Sequence, residues 1–146
     1  VARRFLDVYR DKVAGRVRAY TGARVGETAP AYMRLAAAAH EVRAAGATLA
    51  QDWREIASRS RSRSLPSPAE MAMWRTNQAY ATRTAISAIN TLFSGSGGSA
   101  WFSHNEMQRL WRDGNMAGSH AYSDYDIATQ RLGRELLGLE PDMAIF

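Results

Sequence analysis

The sequence predicts an all-α protein, an up-and-down bundle of four to five helices, on three observations. Apolar residues recur at helical spacing along most of the chain, several segments open on recognisable capping sequences, and no alternating stretch of useful length competes as a strand. Composition agrees: 46% hydrophobic residues with six methionines, four tryptophans and only four prolines suit a helical core. A length of 146 residues is enough for one sizeable core, so residues 1–146 read as a single domain.

The first segment, Val1 to Thr21, places Leu6, Val13, Val17 and Tyr20 at helical intervals, with Thr21-Gly22 as its stop. In the second, Leu35, Val42, Leu49 and Ile56 recur every seven residues beside Tyr32, Ala39, Gly46 and Trp53. Two such rows make a packing seam. A glycine inside a helix costs about 1 kcal/mol relative to alanine, so Gly46 is expected where a neighbouring backbone presses close. SRSRSRSLPSP, from Ser58 to Pro68, reads as a polar loop.

Ser67, Pro68 and Glu70 spell the start of a third helix: a capping serine, a proline at the first helical position, and a glutamate that completes a capping box. Its stripe is Trp74, Ala81, Ala85, Ala88 and Leu92. A glycine-rich turn, SGSGGSAWF, follows Phe93. Ser103 with Glu106 predicts a second capping box, before a helix that contains Met107, Leu110 and Trp111. The last helix is expected from about Ser123 to Leu137, with Tyr125, Ala128, Leu132 and Leu136 on one face and Gly138 ending it.

Several function classes fall away. There is no cysteine, which removes disulfides, zinc ribbons and thiol nucleophiles. His40, His104 and His120 are far apart, and none pairs with another at helical ligand spacing, so no metal site is expected. His40 is expected on the flank of the second helix and His104 at a helix start. GSGGS matches neither a nucleophile elbow nor a dinucleotide fingerprint, although backbone N–H groups in a glycine turn before a helix can approach an anionic cofactor.

The net charge of +5 rests almost wholly on arginine, with Lys12 the only lysine. Such a surface permits a phosphorylated cofactor, acidic lipid or nucleic acid. The arginine-serine run is too short to argue for nucleic acid, which is not expected as a partner. No apolar run is long enough to span a bilayer and no signal core is evident, so a cytoplasmic protein without membrane contact is expected. The chain starts on a helical pattern without a methionine, as an excerpt of a longer protein would.

From Thr91 onward the order of features is more specific: Gly95 to Gly98, then Gln108, Arg109, Arg112 and Asp113, then His120, then Leu136-Leu137-Gly138. This order resembles the C-terminal helical domain of the acyl-CoA dehydrogenase superfamily. It is most similar to the branch of flavin-dependent monooxygenases that includes hydroxyphenylacetate and hydroxylated-steroid hydroxylases. VRAYTGARVGETAPAYMRLAAAAHEVRAAGATL is similar to the first two bundle helices of the family and the loop between them. The resemblance covers essentially the whole chain but only one domain of a three-domain plan, which implies an isolated domain without activity.

Many dehydrogenases of this superfamily carry a catalytic glutamate shortly after the same Arg-Asp dipeptide. This chain reads Ser119-His120-Ala121-Tyr122 there. Abstracting an α-proton as hydride leaves needs a carboxylate at the α-carbon, and serine and alanine cannot supply one. Imidazole, by contrast, can take a proton from a phenol-like substrate or hydrogen-bond oxygen at the flavin near neutral pH. The resemblance therefore implies a two-component monooxygenase. A separate flavin reductase would supply reduced flavin, FMN or FAD, and one oxygen atom of O2 would pass to a small organic substrate.

In that scheme His120 is catalytic, and Gly97, Gly98 and Ser99 approach the cofactor, from a neighbouring subunit in one version. Tyr122 is a candidate for the substrate pocket. Arg112 and Asp113 are expected to form a structural ion pair, Gln108 to bind or to brace, and Trp101 and Phe102 to line the pocket or the core. The resemblance implies a homotetramer built around the helical domain. Two alternatives stand: an acyl-CoA dehydrogenase domain whose glutamate lies on the first helix or upstream, and a purely structural oligomerisation module.

Overall fold

The computed structural model describes residues 1–17 and 21–140. Among these, five helices carry the fold: α1 (Ala2–Gly15), α2 (Ala29–Ser62), α3 (Pro68–Ser94), α4 (Glu106–Gly118) and α5 (Tyr125–Leu136). Three single-turn 3-10 helices, Val25–Glu27, Gly98–Trp101 and Ala121–Ser123, lie in the connections. α3 is the central helix and touches all four others, so it buries residues on more than one side. The stripe expected for it therefore captures only part of its core: Ala81, Ala88 and Leu92 are buried, and so are Ala72, Thr76, Ala79, Ile89 and Phe93.

α1 ends at Gly15, earlier than the sequence predicts, because Arg16 turns extended and its carbonyl accepts the Val25 N–H at 2.8 Å. Its buried face is Phe5, Tyr9 and Val13; Leu6 is half-buried and Val17 exposed, while Tyr20 lies outside the described residues. Each large apolar side chain so buried contributes about 1.5–3 kcal/mol. Phe5 meets Phe93 edge-on, with ring centroids 6.4 Å apart.

On α2 one expected row packs and the other does not. Val42 is buried and Leu35, Leu49 and Ile56 are half-buried, but their companions are Ala31, Ala38, Ala45 and Asp52. Tyr32, Ala39 and Trp53 face outward. The row containing an aspartate is the buried one, against its hydropathy. Asp52 is 7% exposed and accepts from Asn77 Nδ2 at 2.9 Å, while its Oδ2 has no partner among the described residues. Burial pushes its carboxyl above the usual range; the Asn77 bond works against this and the nearby Glu55 with it. At Gly46 the close neighbour is the Arg3 side chain, 3.2 Å from where a methyl would stand, and not a backbone.

The expected loop from Ser58 begins later, because α2 continues to Ser62 and ends at Arg63 in the left-handed region. Arg59 and Arg61 in the last turn complement the helix dipole. Arg59 also ion-pairs with Glu70 across the connection. The capping box at Ser67 is present in both directions, with Glu70 N–H on Ser67 Oγ at 3.2 Å and Ser67 N–H on Glu70 Oε2 at 2.8 Å. These bonds, the Ser67 backbone first and then Arg59, hold the Glu70 carboxyl down at about 2.

α4 opens on Asn105, not Ser103: the Asn105 side chain accepts from Met107 N–H at 2.9 Å. Glu106 is thereby the first helical residue and pairs with Arg4 of α1 through two bonds of 2.9 and 3.0 Å. α5 begins at Tyr125 behind an Asp124 cap, and Gly138 adopts a positive φ of 66° just past its end. No described helix is long and apolar enough to cross a membrane.

Candidate functional site

The glycine turn hangs between the C-terminus of α3 and the start of α4. Gly97 has φ 74° and ψ 173°, a conformation that essentially only glycine adopts. A Cβ there would run into the Arg16 guanidinium, with Cζ at 2.6 Å. Gly98 has open space around it, and Ser99 is exposed with its carbonyl accepting from Asn105 Nδ2 at 3.0 Å. Of the three residues for which the family resemblance implies contact with the cofactor, Gly97 is the one the backbone requires as glycine.

Behind this turn is a polar cavity of about 210 Å³ lined by Tyr9, Arg16, Thr28, Arg34, Gly95 and Gly97. Tyr9 is fully buried and its hydroxyl has no partner among the described residues. Burial raises its pKa, against the pull of Arg34 and Arg16. Two guanidinium groups, a buried hydroxyl and a glycine backbone suit an anionic group such as the phosphate of a flavin. Sequence reasoning missed Tyr9, Arg16 and Arg34, since they come from three places in the chain and share no motif. Lys12 Nζ and Gln108 Oε1 are likewise buried without partners among the described residues, which leaves Gln108 Oε1 with no bracing bond there.

His120 lies at the other end of α4. Thirteen helical residues separate the two turns, about 20 Å at 1.5 Å per residue. Gly97, Gly98 and Ser99 are thus not brought to His120 within one chain. His120 is exposed, and its Nδ1 accepts the Tyr122 N–H at 3.1 Å. That bond makes the other nitrogen, Nε2, the one that carries the proton in the neutral ring. Tyr122 is 60% exposed and lies beside the imidazole, with centroids 5.6 Å apart. Asp124, the nearest carboxylate in sequence, accepts from Ile127 N–H as the cap of α5.

The expected Arg112–Asp113 ion pair does not form. Neighbours on a helix point apart, and Asp113 pairs one turn back with Arg109 at 3.6 Å while Arg112 is exposed. Trp101 stays 61% exposed but packs edge-on against Phe93, centroids 4.7 Å apart. Phe102 is also exposed and stacks on His104. A larger apolar groove of about 430 Å³, lined by Val42, Leu49, Ala85, Ile86 and Ile89 beside Val1, includes none of the expected site residues. No group of three or more potential metal ligands occurs among the described residues.

Fold and turns together define an all-α bundle domain with its two candidate site turns at opposite ends of α4. The chain belongs to the acyl-CoA dehydrogenase family: residues 1–125 match the family model of the acyl-CoA dehydrogenase C-terminal domain. It is 44% identical over 142 residues to the oxygenase component of p-hydroxyphenylacetate 3-hydroxylase from Acinetobacter baumannii, a match covering 97% of this chain and 34% of that protein. It is 32% identical over 145 residues to the oxygenase component of an FADH2-dependent resorcinol hydroxylase from Rhizobium sp. strain MTP-10005, covering 93% and 35%. The crystal structure of 3-HSA hydroxylase from Rhodococcus sp. RHA1 superimposes with a TM-score of 0.89 at 27% identity, over 99% of this chain and 38% of that one. The chain spans about a third of the length of the curated relatives it matches.

Proposed function

We propose that the full-length protein containing this chain is the oxygenase component of a two-component flavin-dependent monooxygenase that hydroxylates a small aromatic substrate. A separate reductase delivers the reduced flavin, FMN or FAD, and the protein works in the cytoplasm. The observation that carries the reading is the turn at His120: an exposed imidazole with Nδ1 already engaged stands where a dehydrogenase would need a carboxylate. The oxygenase components among the relatives support the same reading.

Bound reduced flavin supplies the electrons with which O2 is divided between substrate and water. The chain's own residues bind, orient and hold a proton. Arg16, Arg34 and the Tyr9 hydroxyl would hold the cofactor's phosphate end while Gly97, Gly98 and Ser99 let it approach the backbone. His120, with Nε2 protonated, is poised as a hydrogen-bond donor to oxygen at the reacting end, rather than as the base for a phenol. Tyr122, beside it, would contact the substrate.

Because the two turns stand about 20 Å apart, a homotetramer through the helical domain would let the glycine turn of one copy meet the flavin that reacts beside the histidine of another. Asp124, the nearest carboxylate to this turn in sequence, accepts from Ile127 N–H as the cap of α5.

The test is to supply the full-length protein with a flavin reductase, labelled O2 and simple phenols. Label from O2 in a hydroxylated product is expected. Oxidation of an acyl-CoA thioester with no label incorporated in any product would overturn the reading.

A further inference from the structure

Arg75, on the first turns of α3, reaches across to the turn that carries His120 and grips it at two points. Its Nη1 donates to the Tyr122 carbonyl and its Nη2 to the Ala121 carbonyl at 3.1 Å. Its guanidinium also lies over the Tyr122 ring, 4.7 Å from the centroid. The Ala121 carbonyl and the Tyr122 N–H belong to one peptide plane, and in a trans peptide they point in opposite directions. Fixing the carbonyl therefore fixes the N–H, and that N–H is the donor to His120 Nδ1 at 3.1 Å. A cation on the carbonyl also polarises the peptide and strengthens its N–H as a donor.

We infer that Arg75 is a positioning residue for His120: it orients the Ala121–Tyr122 peptide so that the imidazole is held with Nδ1 as acceptor and Nε2–H presented outward. This inference rests on the reading of His120 as the catalytic group. Other bonds close the turn on itself: Ser123 N–H on the His120 carbonyl at 2.7 Å and Ser123 Oγ on the Ala117 carbonyl at 3.1 Å do not touch that peptide, while Asp124 N–H on the Ala121 carbonyl at 3.2 Å shares its acceptor with Arg75. The nearby α3–α5 bond, Thr76 Oγ1 to the Ala128 carbonyl at 3.1 Å, serves as a control contact that braces the same region without touching the peptide.

The experiment follows the ring nitrogens of His120 by ¹⁵N NMR of the histidine-labelled full-length protein, under basic conditions where imidazoles are neutral, with the His120 signals assigned by their loss in His120→Ala. Arg75→Ala is expected to lower the Nε2–H over Nδ1–H preference about fivefold, the scale of one lost hydrogen bond. Arg75→Lys, which keeps the charge but only a single donor nitrogen, should retain part of the preference, and Thr76→Val should leave it unchanged.

In the full-length protein assayed with reductase, Arg75→Ala should shift turnover from product toward peroxide, in the same direction as His120→Ala. An unchanged tautomer ratio in Arg75→Ala, or an equal shift in Thr76→Val, overturns the inference and reduces Arg75 to a staple between α3 and the turn. If His120→Ala leaves product and peroxide unchanged, the catalytic reading of His120 falls instead, while the tautomer ratio still decides what Arg75 does.

Discussion

Replacing Gly97 with alanine is the perturbation whose cost the structure defines most fully. At φ 74° and ψ 173° the position lies where an L side chain carries a strain of about 1–3 kcal/mol. The added methyl would also stand 2.6 Å from Arg16 Cζ, so the guanidinium must leave the cavity that it lines with Tyr9 and Arg34. Gly98, the next residue, provides an internal control: it has no positive φ and a Cβ there meets nothing within 4 Å. Thermal unfolding of the protein should fall by about 3–10 °C for Gly97→Ala, given the shift per kcal/mol usual for a domain of this size. For Gly98→Ala the change should stay within about 0.5 kcal/mol, as at most exposed sites. Anaerobic titration with reduced flavin should show weaker binding by Gly97→Ala than by Gly98→Ala. Equal stability and equal binding for the two variants would refute the argument that the backbone demands glycine at one position and merely tolerates it at the other.

Further outcomes follow from the packing and the titrating groups. Ala38→Leu, in the buried row of α2, should cost about 1–3 kcal/mol by overpacking, whereas exposed Ala39→Leu should change denaturant midpoints little. Ser67→Ala should lose about 1 kcal/mol of helix capping, read by the same denaturation. The depressed Glu70 carboxyl, at about 2 when folded, stabilises fully above the ordinary value of 4.5 and ceases to do so as pH falls through 2. Glu70→Gln should flatten that part of the stability–pH curve. Asp52 has the opposite sign: a carboxyl raised by burial stabilises below its unfolded value and loses that contribution as pH rises through the folded one. Asp52→Asn should therefore gain on the wild type as pH rises from about 4 toward neutrality, the range just above the ordinary aspartate value, and a difference that does not grow over that range contradicts it.

The helical class and the third helix were legible because their signals are local: Ser67, Pro68 and Glu70 specify a start within four positions, and the structure contains each bond they imply. The second row on α2 was misread because Asp52 interrupts its apolar pattern, while Trp53 and Tyr32 offered a more hydrophobic alternative that tertiary packing leaves outside. Ser103 lost to Asn105 as the α4 cap since both are good caps, and only the geometry of the preceding turn separates them. At the candidate site, Gly97 and His120 could be marked from their order along the chain. The residues that shape their surroundings could not: Tyr9, Arg16 and Arg34 converge on one turn and Arg75 on the other only after α1, α2 and α3 have packed.

His120 is the group proposed to serve oxygen transfer, and its removal is the most direct test. In the full-length protein, with its reductase, O2 and a phenolic substrate, hydroxylated product and hydrogen peroxide should be measured together for the wild type and for His120→Ala. A loss of product of about 100-fold or more, the scale of a removed proton-handling group, with a matching rise in peroxide, is the expected result. Product and peroxide both unchanged in the variant would contradict it.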